Sequence, residues 1–238
     1  MHRRSDVHFA VPPTTALIYA LAREGAVVPR SWPPECRAQA YGFDNAYRVT
    51  ELLLQRGAGL AVSFGVAGGL SPTAHTGDVL LPATVICKDV EHAVDPALLE
   101  AVRAALASSV SVHVGRHLAA SEVVTTPSEK RRLFASTGAL GVDLESGGVA
   151  EAAHARGASF LVLRVVSDDA SALLPAEVRR WTGAEGRVDL ARLLSDVLRR
   201  PTILRDLPAM GSAFDTALAS LQVVGEVLER MKWSESRC

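Results

Sequence analysis

Short apolar runs alternate with helix-like patterns as far as about residue 170 of the chain. The runs are rich in valine, leucine and isoleucine and are bounded by glycine, proline or polar residues, which is typical of buried strands. Pro82, inside one of them, favours a sheet edge or a bulge. The predicted strands are Val7 to Val11, Leu60 to Phe64, Val79 to Cys87, Val110 to Val114, Ala139 to Leu144 and Phe160 to Val166.

Helix-like segments fill the intervals between these runs. Thr14 or Thr15 can cap a helix that extends to about Arg23, and Asp95 followed by Pro96 begins another helix. The alternation predicts an α/β fold, a three-layer αβα sandwich with a central mixed, twisted β-sheet. The other predicted helices are Asn45 to Gln55, Pro127 to Phe134 and Gly147 to Arg156.

The last part of the chain has a different pattern, with no convincing strand after Leu173. Asp189 to Arg199 and Phe214 to Met231 are predicted as amphipathic helices, so residues from about 172 form a helical extension of a single domain over residues 1–238. The arginines of this extension form either a solvated face or a surface for anionic lipid. They are Arg179, Arg180, Arg199, Arg200 and Arg205.

Composition and charge exclude several classes of function. The chain has 238 residues, 48% of them hydrophobic, and a formal net charge of -1, which gives no global electrostatic reason to expect nucleic-acid binding. No apolar run is long enough to span a bilayer, and the sequence predicts a cytoplasmic protein. The histidines do not fall at metal-binding spacings, and the three cysteines lack the CxxC spacing of a zinc site.

Two carboxylates stand where strands are predicted to end. Asp168 follows Phe160 to Val166, and an acid fixed at a strand end can protonate a leaving group if burial raises its pKa. Glu145 follows Ala139 to Leu144 and suits a sugar diol, because one carboxylate accepts hydrogen bonds from two hydroxyls. Local sequence alone favours simpler roles, a helix-cap and loop cluster for Ser167 and Asp168 and a first-turn acid for Glu145. Arg164 argues against that, since a cation in an apolar strand needs a carboxylate or a ligand.

A glycine-rich segment, Gly65 to Leu70, is predicted as a turn after the strand Leu60 to Phe64. Its glycines allow a bound phosphate or flat ligand to approach the backbone. The segment does not fit G-x-G-x-x-G, and no P-loop lysine follows it. Dinucleotide and nucleoside triphosphate binding are therefore disfavoured.

Four motifs taken in order resemble the purine nucleoside phosphorylase and nucleosidase superfamily over about residues 7 to 170. They are Ser63-Phe-Gly-Val-Ala-Gly-Gly-Leu70, Gly77-Asp-Val-Leu-Leu81, Val142-Asp-Leu-Glu-Ser146 and Leu163-Arg-Val-Val-Ser-Asp168. The first motif, with the tail sequence Leu198-Arg-Arg-Pro201, looks most like the hopanoid-associated branch, which is regarded as releasing adenine from adenosylhopane.

The resemblance implies an enzyme that cleaves an N-glycosidic bond without cofactor or metal. Asp168 matches the acid that contacts purine N7, and Glu145 matches the residue that holds the ribose hydroxyls. The superfamily also implies a homo-oligomer, and a lipid-linked substrate implies peripheral contact with the inner membrane. Ser167 is expected to bind the ligand and Arg164 to be a structural or accessory residue. Six further residues are expected to frame the sugar and base: Val66, Ala67, Gly68, Gly69, Asp143 and Leu144.

The chain departs from the superfamily's pattern at the residues that would activate water or bind phosphate. Hydrolytic members carry an acid just after the first strand, where Val11 to Ala16 offers none, so the base that activates water is unassigned. Phosphate-using members often have a serine at the place of Val66 and a basic residue where this chain reads Gly42 to Asn45. Water and phosphate both stay open as nucleophiles, and Thr14, Thr15 and Asn45 are weak candidates to orient one.

Three functions are compatible with these residues. The first is adenine release from adenosylhopane, and the second is cleavage of a soluble purine nucleoside such as methylthioadenosine. The third is a catalytically silent protein that binds a nucleoside or lipid and has lost the acid after its first strand. An apolar channel at the ribose 5′ position would favour the lipid, whereas a closed cap would favour the small substrate.

Overall fold

The computed structural model describes residues 15–181 and 189–231. The predicted strand Val7 to Val11 and Thr14 lie outside the described residues. The strands are β1 (Thr15–Tyr19), β2 (Arg37–Gln39), β3 (Leu60–Gly69), β4 (Val79–Cys87), β5 (Val90–Ala93), β6 (Val112–Ala119), β7 (Ala139–Asp143) and β8 (Ser159–Asp168). The helices are α1 (Ala22–Ala26), α2 (Phe43–Gln55), α3 (Pro96–Leu106), α4 (Pro127–Thr137), α5 (Ser146–Arg156), α6 (Val178–Trp181), α7 (Leu190–Arg199) and α8 (Ile203–Arg230).

The segment after Thr14 is a strand, and the predicted helix from Thr14 or Thr15 to Arg23 is wrong. β1 pairs in parallel with β2 and β3, and its residues Ala16, Leu17 and Ile18 are buried. Pairing with the centre of a sheet outweighs a weak local capping signal, because it satisfies the backbone and buries the side chains together. The helix begins only at Ala22, one short loop after the strand.

The eight strands form one mixed sheet with the path β2-β1-β3-β7-β6-β4-β5, and β8 pairs with both β3 and β4. The β3–β8 and β4–β6 pairs are parallel, whereas β3–β7 and β4–β8 are antiparallel. The register shifts between Pro82 and Thr84, a bulge or irregularity that agrees with one of the two alternatives predicted for Pro82, a sheet edge or a bulge. The mixed sheet with its helices confirms the predicted α/β class.

The glycine-rich segment is the second half of β3, and the predicted turn at Gly65 is wrong. β3 continues to Gly69 because β8 pairs with it along its whole length, from Leu60 beside Ser159 to Gly68 beside Asp168. This pairing with β8 keeps the backbone extended even where glycine lowers the intrinsic preference for a strand. The two strand ends that carry the motif residues therefore lie side by side.

The helices form two groups around the sheet. α2 packs on α5, which contacts β3 and β8, and α8 packs on the same two strands with α3 beside it. The N-terminus of α3 is capped by Asp95, as predicted. α8 begins at Ile203 and contains Pro208, so it is one long helix where only Phe214 to Met231 was predicted. No helix within the described residues is long and apolar enough to cross a membrane. The assignment of residues 1–238 to one domain stays a prediction.

Candidate active site

Arg164 joins three carboxylates beneath the ends of β3 and β8. The side chain is buried, and its Nε lies 2.5 Å from Asp143 Oδ2. Nη2 lies 3.6 Å from Glu145 Oε2 and donates to Ser63 Oγ at 2.8 Å. Glu24 also acts on Arg164 electrostatically and helps to raise its pKa. The expectation that this cation needs a carboxylate is therefore met by a cluster of them.

Asp143 holds the loop between β7 and α5 in place. Its Oδ1 accepts hydrogen bonds from the backbone of Glu145 and Ser146 and from the Ser146 hydroxyl, the last at 2.6 Å. His117 Nε2 lies 3.3 Å from Oδ2. Burial alone would raise the pKa of Asp143, but Arg164 and His117 hold it below its ordinary value. Asp143 is therefore an ionised anchor that fixes the backbone under Glu145.

Glu145 is buried at the start of α5, and the positive charge of Arg164 compensates its negative charge only in part. Its Oε1 accepts a hydrogen bond from the backbone N–H of Gly42 at 3.0 Å. Burial raises the pKa of Glu145 to about 7, even though Arg164 lowers it, and the neighbouring Asp143 raises it further. The remaining lone pairs of the Glu145 carboxyl oxygens can accept hydrogen bonds from the hydroxyls of a ligand.

Glu24 is the main residue that the sequence reasoning missed. It lies in α1, directly after β1, and its Oε2 accepts hydrogen bonds from the backbone of Ala20 and Leu21 at 2.8 and 2.7 Å. Its Oε1 accepts from the backbone of Val66 at 2.8 Å. Burial raises the pKa of Glu24, opposed by Arg164 and by these backbone hydrogen bonds. Placing the first strand of the sheet at Thr15–Tyr19 would have revealed this acid.

Gly65 is required where Glu24 and Arg164 meet β3. A Cβ at this position would lie 2.6 Å from Glu24 Oε1 and would overlap Arg164 Nη1. Among the described residues, this Nη1 has no hydrogen-bond partner. The glycine therefore lets a carboxylate and a free N–H donor approach the strand together.

Asp168 stands at the end of β8 with both carboxylate oxygens hydrogen-bonded. Ser167 Oγ donates to Oδ1 at 2.8 Å, and Lys130 Nζ donates to Oδ2 at 2.6 Å. Burial raises the pKa of Asp168, whereas Lys130 and Ser167 lower it. The neighbouring Asp169 also lines the cavity, and its carboxylate accepts hydrogen bonds from the backbone and hydroxyl of Ser171.

The four acids Glu24, Asp143, Glu145 and Asp168 line one cavity of about 600 Å³. Of the residues named from the sequence, Gly69 and Arg164 do not line the cavity, and both are buried in the sheet beneath it. Glu24, from outside that set, does line it. The predicted residues that line it are Val66, Ala67, Gly68, Asp143, Leu144, Glu145, Ser167 and Asp168.

The cavity continues beyond the acids between α8 and the loop after β8. This arm is lined by Leu173, Leu174 and the first half of α8, and most of its lining side chains are apolar. The α8 residues of the arm are Arg205, Asp206, Ala209, Met210, Ala213 and Phe214. The site therefore combines a polar end on the sheet with an apolar extension under the helical tail.

The sequence model of the phosphorylase superfamily matches residues 14–199. The chain belongs to this superfamily. The match covers most of the chain, including β1, the four motifs and Glu24, and it confirms the prediction of an enzyme of this class. No sequence among the curated proteins matches the chain.

Solved structures show the same fold at low sequence identity. A 5′-methylthioadenosine/S-adenosylhomocysteine nucleosidase from Neisseria meningitidis, in complex with methylthio-immucillin-A, has a TM-score of 0.68 at 18% identity, over 92% of this chain and 99% of that one. A futalosine hydrolase mutant of Helicobacter pylori has a TM-score of 0.69 at 15% identity, over 92% and 98%. A point mutant of a Helicobacter pylori nucleosidase, with 5′-methylthioadenosine in its active site, has a TM-score of 0.66 at 15% identity, over 92% and 97%.

Proposed function

We propose that this chain hydrolyses the N-glycosidic bond of a purine nucleoside. The observation that carries the proposal is the presence of Glu24, Glu145 and Asp168 around one cavity, with Arg164 beneath them. In this assignment Asp168 protonates the purine, Glu145 holds the ribose hydroxyls and Glu24 activates water. The nucleosidase and hydrolase structures that share the fold support the same class of reaction.

Asp168 has the properties of the general acid. Breaking the bond between ribose C1′ and purine N9 leaves negative charge on the base, and a proton delivered to N7 stabilises the departing purine. The pKa of Asp168 is raised by burial, which keeps a proton available nearer to neutral pH than an exposed aspartic acid would. Its place beside Gly68 leaves room for a flat ring, since no side chain extends from that neighbour.

Glu24 supplies the base that the sequence pattern lacked. Three backbone N–H groups and the nearby Arg164 favour its ionised form, while burial makes the resulting carboxylate a stronger base. A water molecule held by this carboxylate, which lines the cavity, would be positioned to attack C1′. In that step Glu24 takes a proton from the water as the new bond from oxygen to C1′ forms.

The same arrangement argues against phosphate as the nucleophile. The backbone N–H of Val66, in the glycine-rich strand that could have received an anion, already donates to Glu24. Arg164 is already paired with carboxylates, so a phosphate dianion there would meet net negative charge. We therefore assign water as the nucleophile and expect turnover without added phosphate.

For the substrate, we propose adenosine linked through its 5′ carbon to a lipid, with adenosylhopane as the candidate that the hopanoid resemblance suggests. The apolar arm beside Met210 and Phe214 supports this choice, because it extends the cavity beyond the polar end that would hold ribose and base. A small 5′ substituent would leave much of that arm unfilled. A soluble nucleoside such as methylthioadenosine is the second candidate, favoured by the ligands of the structurally similar nucleosidases.

The substrate test measures adenine release from adenosylhopane and from methylthioadenosine, each with and without phosphate. We expect faster release from the lipid-linked nucleoside and no dependence on phosphate. Faster turnover of methylthioadenosine would establish the soluble substrate instead. Binding of either nucleoside without any turnover would support a catalytically silent binding protein.

A lipid substrate also requires contact with a membrane, and α7 offers a surface for it. Leu190, Leu194 and Leu198 follow one another at helical spacing and are 66%, 62% and 82% exposed. Leu173, which lines the mouth of the apolar arm, is 67% exposed. Leucines beside exposed arginines such as Arg199 and Arg200 fit an anionic bilayer surface, where the apolar side chains insert and the cations meet headgroups.

Vesicle binding tests this surface. We expect the wild-type chain to sediment with phosphatidylglycerol vesicles more than with phosphatidylcholine vesicles. The double substitution Leu194→Ser and Leu198→Ser should weaken binding roughly tenfold or more, because each buried leucine contributes about 1.5–3 kcal/mol. Leu52→Ser with Val90→Ser, at positions that are 40% and 53% exposed, is the matched control.

Two other outcomes are informative. Equal vesicle binding by the α7 variant and the control variant would exclude α7 as the membrane surface. A change in molecular mass of the α7 variant without vesicles would instead make α7 an interface between copies of this chain. In either case a homo-oligomer stays our proposal, on the resemblance to the superfamily.

A further inference from the structure

We propose that Lys130 is a positioning residue for the general acid, and that its ammonium group provides the countercharge for the Asp168 carboxylate once the proton has passed to the purine. This inference rests on the proposed function and adds a residue that none of the motifs contains. It assigns a chemical role to a buried cation of α4 that does not line the cavity.

The contacts of Lys130 fix the position of its side chain. The residue is 0% exposed, and its Nζ donates to Asp168 Oδ2 at 2.6 Å, to the Asp169 carbonyl at 2.6 Å and to the Asp168 carbonyl at 3.2 Å. An ammonium group has three N–H donors, and this one uses each of them. All three acceptors belong to the end of β8, so Lys130 is directed at the acid itself.

A salt bridge of this kind needs a specific explanation. A buried ion pair contributes little net stability in general, because both ions lose their hydration. The loop after β8 could be held by a neutral side chain that donates to the same two carbonyl oxygens. A full charge against Oδ2 is useful where the carboxyl group changes its own charge during the reaction.

Asp168 gains a negative charge when it gives its proton to the purine. The bond from C1′ to N9 breaks, its electron pair passes to the purine, and the proton of Asp168 moves to N7. Asp168 thereby becomes a carboxylate in a buried site, next to the ammonium group of Lys130. Asp169 also lies near Asp168 and opposes this ionisation, whereas Ser167 supports it through a hydrogen bond. Lys130 is therefore the group that stabilises the ionised product state at this position.

The Lys130–Asp168 pair also determines in which direction the pH profile of kcat should move when Lys130 is replaced. Asp168 must be protonated to donate, so the basic limb of the kcat profile reports its loss of a proton. Lys130 lowers the pKa of Asp168, and removing its charge raises that pKa. An adjacent positive charge lowers the pKa of an aspartic acid by about 1–3. We expect Lys130→Met to move the basic limb to higher pH by about that amount and to lower kcat for a purine nucleoside roughly tenfold or more, with little change in KM.

A second substrate separates this role from a structural one. p-Nitrophenyl riboside has a leaving group that departs as a stable anion and needs no protonation, while its ribose still needs Glu145 and Glu24. Lys130→Met should therefore retain most of its activity on this substrate. Lys88→Met is the matched control, a lysine whose side chain is 63% exposed, and it should leave both activities unchanged.

The outcomes are distinguishable. Equal loss of both activities, or a basic limb that does not move, would overturn the inference and leave Lys130 as a structural residue. If Lys130→Met does not fold, Lys130→Gln carries the same test, because its amide can still donate to the two carbonyl oxygens but has no charge. Failure of the wild-type chain to cleave either substrate would instead overturn the proposed function, and this inference with it.

Discussion

Asp168→Asn will lower the rate of purine release by about 10²–10⁴-fold, the usual contribution of a general acid. The amide keeps the size of the carboxyl group and an oxygen that can accept from Lys130, but it has no proton to give to N7. The effect should fall on kcat, because protonation is needed in the transition state and contributes little to binding of the intact nucleoside. Steady-state release of free base, measured by absorbance, checks this result.

The control for this substitution is the adjacent carboxylate. Asp169→Asn changes a side chain that also lines the cavity but is bonded to Ser171, and its effect on kcat should be much smaller than that of Asp168→Asn. p-Nitrophenyl riboside, whose leaving group needs no proton, should remain a substrate of Asp168→Asn. An Asp168→Asn variant that releases adenine at the wild-type rate would show that the acid has been assigned to the wrong residue.

Glu24→Gln is expected to have the other large effect, a fall in kcat of about 10²–10⁴-fold with nucleoside binding retained. The amide cannot take a proton from water, so both purine nucleosides and p-nitrophenyl riboside should be affected. This common loss distinguishes the base from the acid, because only the acid depends on the leaving group. Equilibrium binding of methylthioadenosine, measured by calorimetry, shows whether the site remains formed.

A buried carboxylate outside the cavity provides the comparison for Glu24. Asp196 in α7 is 3% exposed and accepts hydrogen bonds from Arg180 and Trp181, so Asp196→Asn measures the cost of losing such a group at a distance from the site. Its kcat should stay close to wild type. Recovery of Glu24→Gln by added phosphate would contradict the assignment of water and would make the enzyme a phosphorylase.

The overall class of the fold could be predicted because the apolar runs are long and regular. β4 was predicted with its observed bounds, and α3 was predicted with its cap, since valine-rich runs and an Asp-Pro start are strong local signals. β1 was misassigned because Thr14-Thr15 has the local chemistry of a helix cap, and only pairing with β2 and β3 overrides it. The glycines after Phe64 were predicted as a turn because glycine is typical of turns, and only pairing with β8 keeps this segment in a strand.

That misassignment also hid part of the site. With the first strand placed at Val7 to Val11, the segment after that strand, as far as Ala16, contains no acid, and Glu24 falls just after the predicted helix. Lys130 had no comparable signal, because it stands between Glu129 and Arg131 on a helix that looks solvated in sequence. Its burial depends on the approach of α4 to the end of β8, which no local pattern encodes.

By itself, the sequence determined the strand and helix alternation, the motif order and the identities of Glu145 and Asp168 as acids at strand ends. These depend on local periodicity and residue type, which a linear chain displays directly. The tertiary structure alone decided that Glu24 and Arg164 meet at Gly65, that Lys130 pairs with Asp168 and that α8 adds an apolar arm. These contacts join residues far apart in the chain, and their energies exist only when the sheet has brought the partners together and removed water from between them.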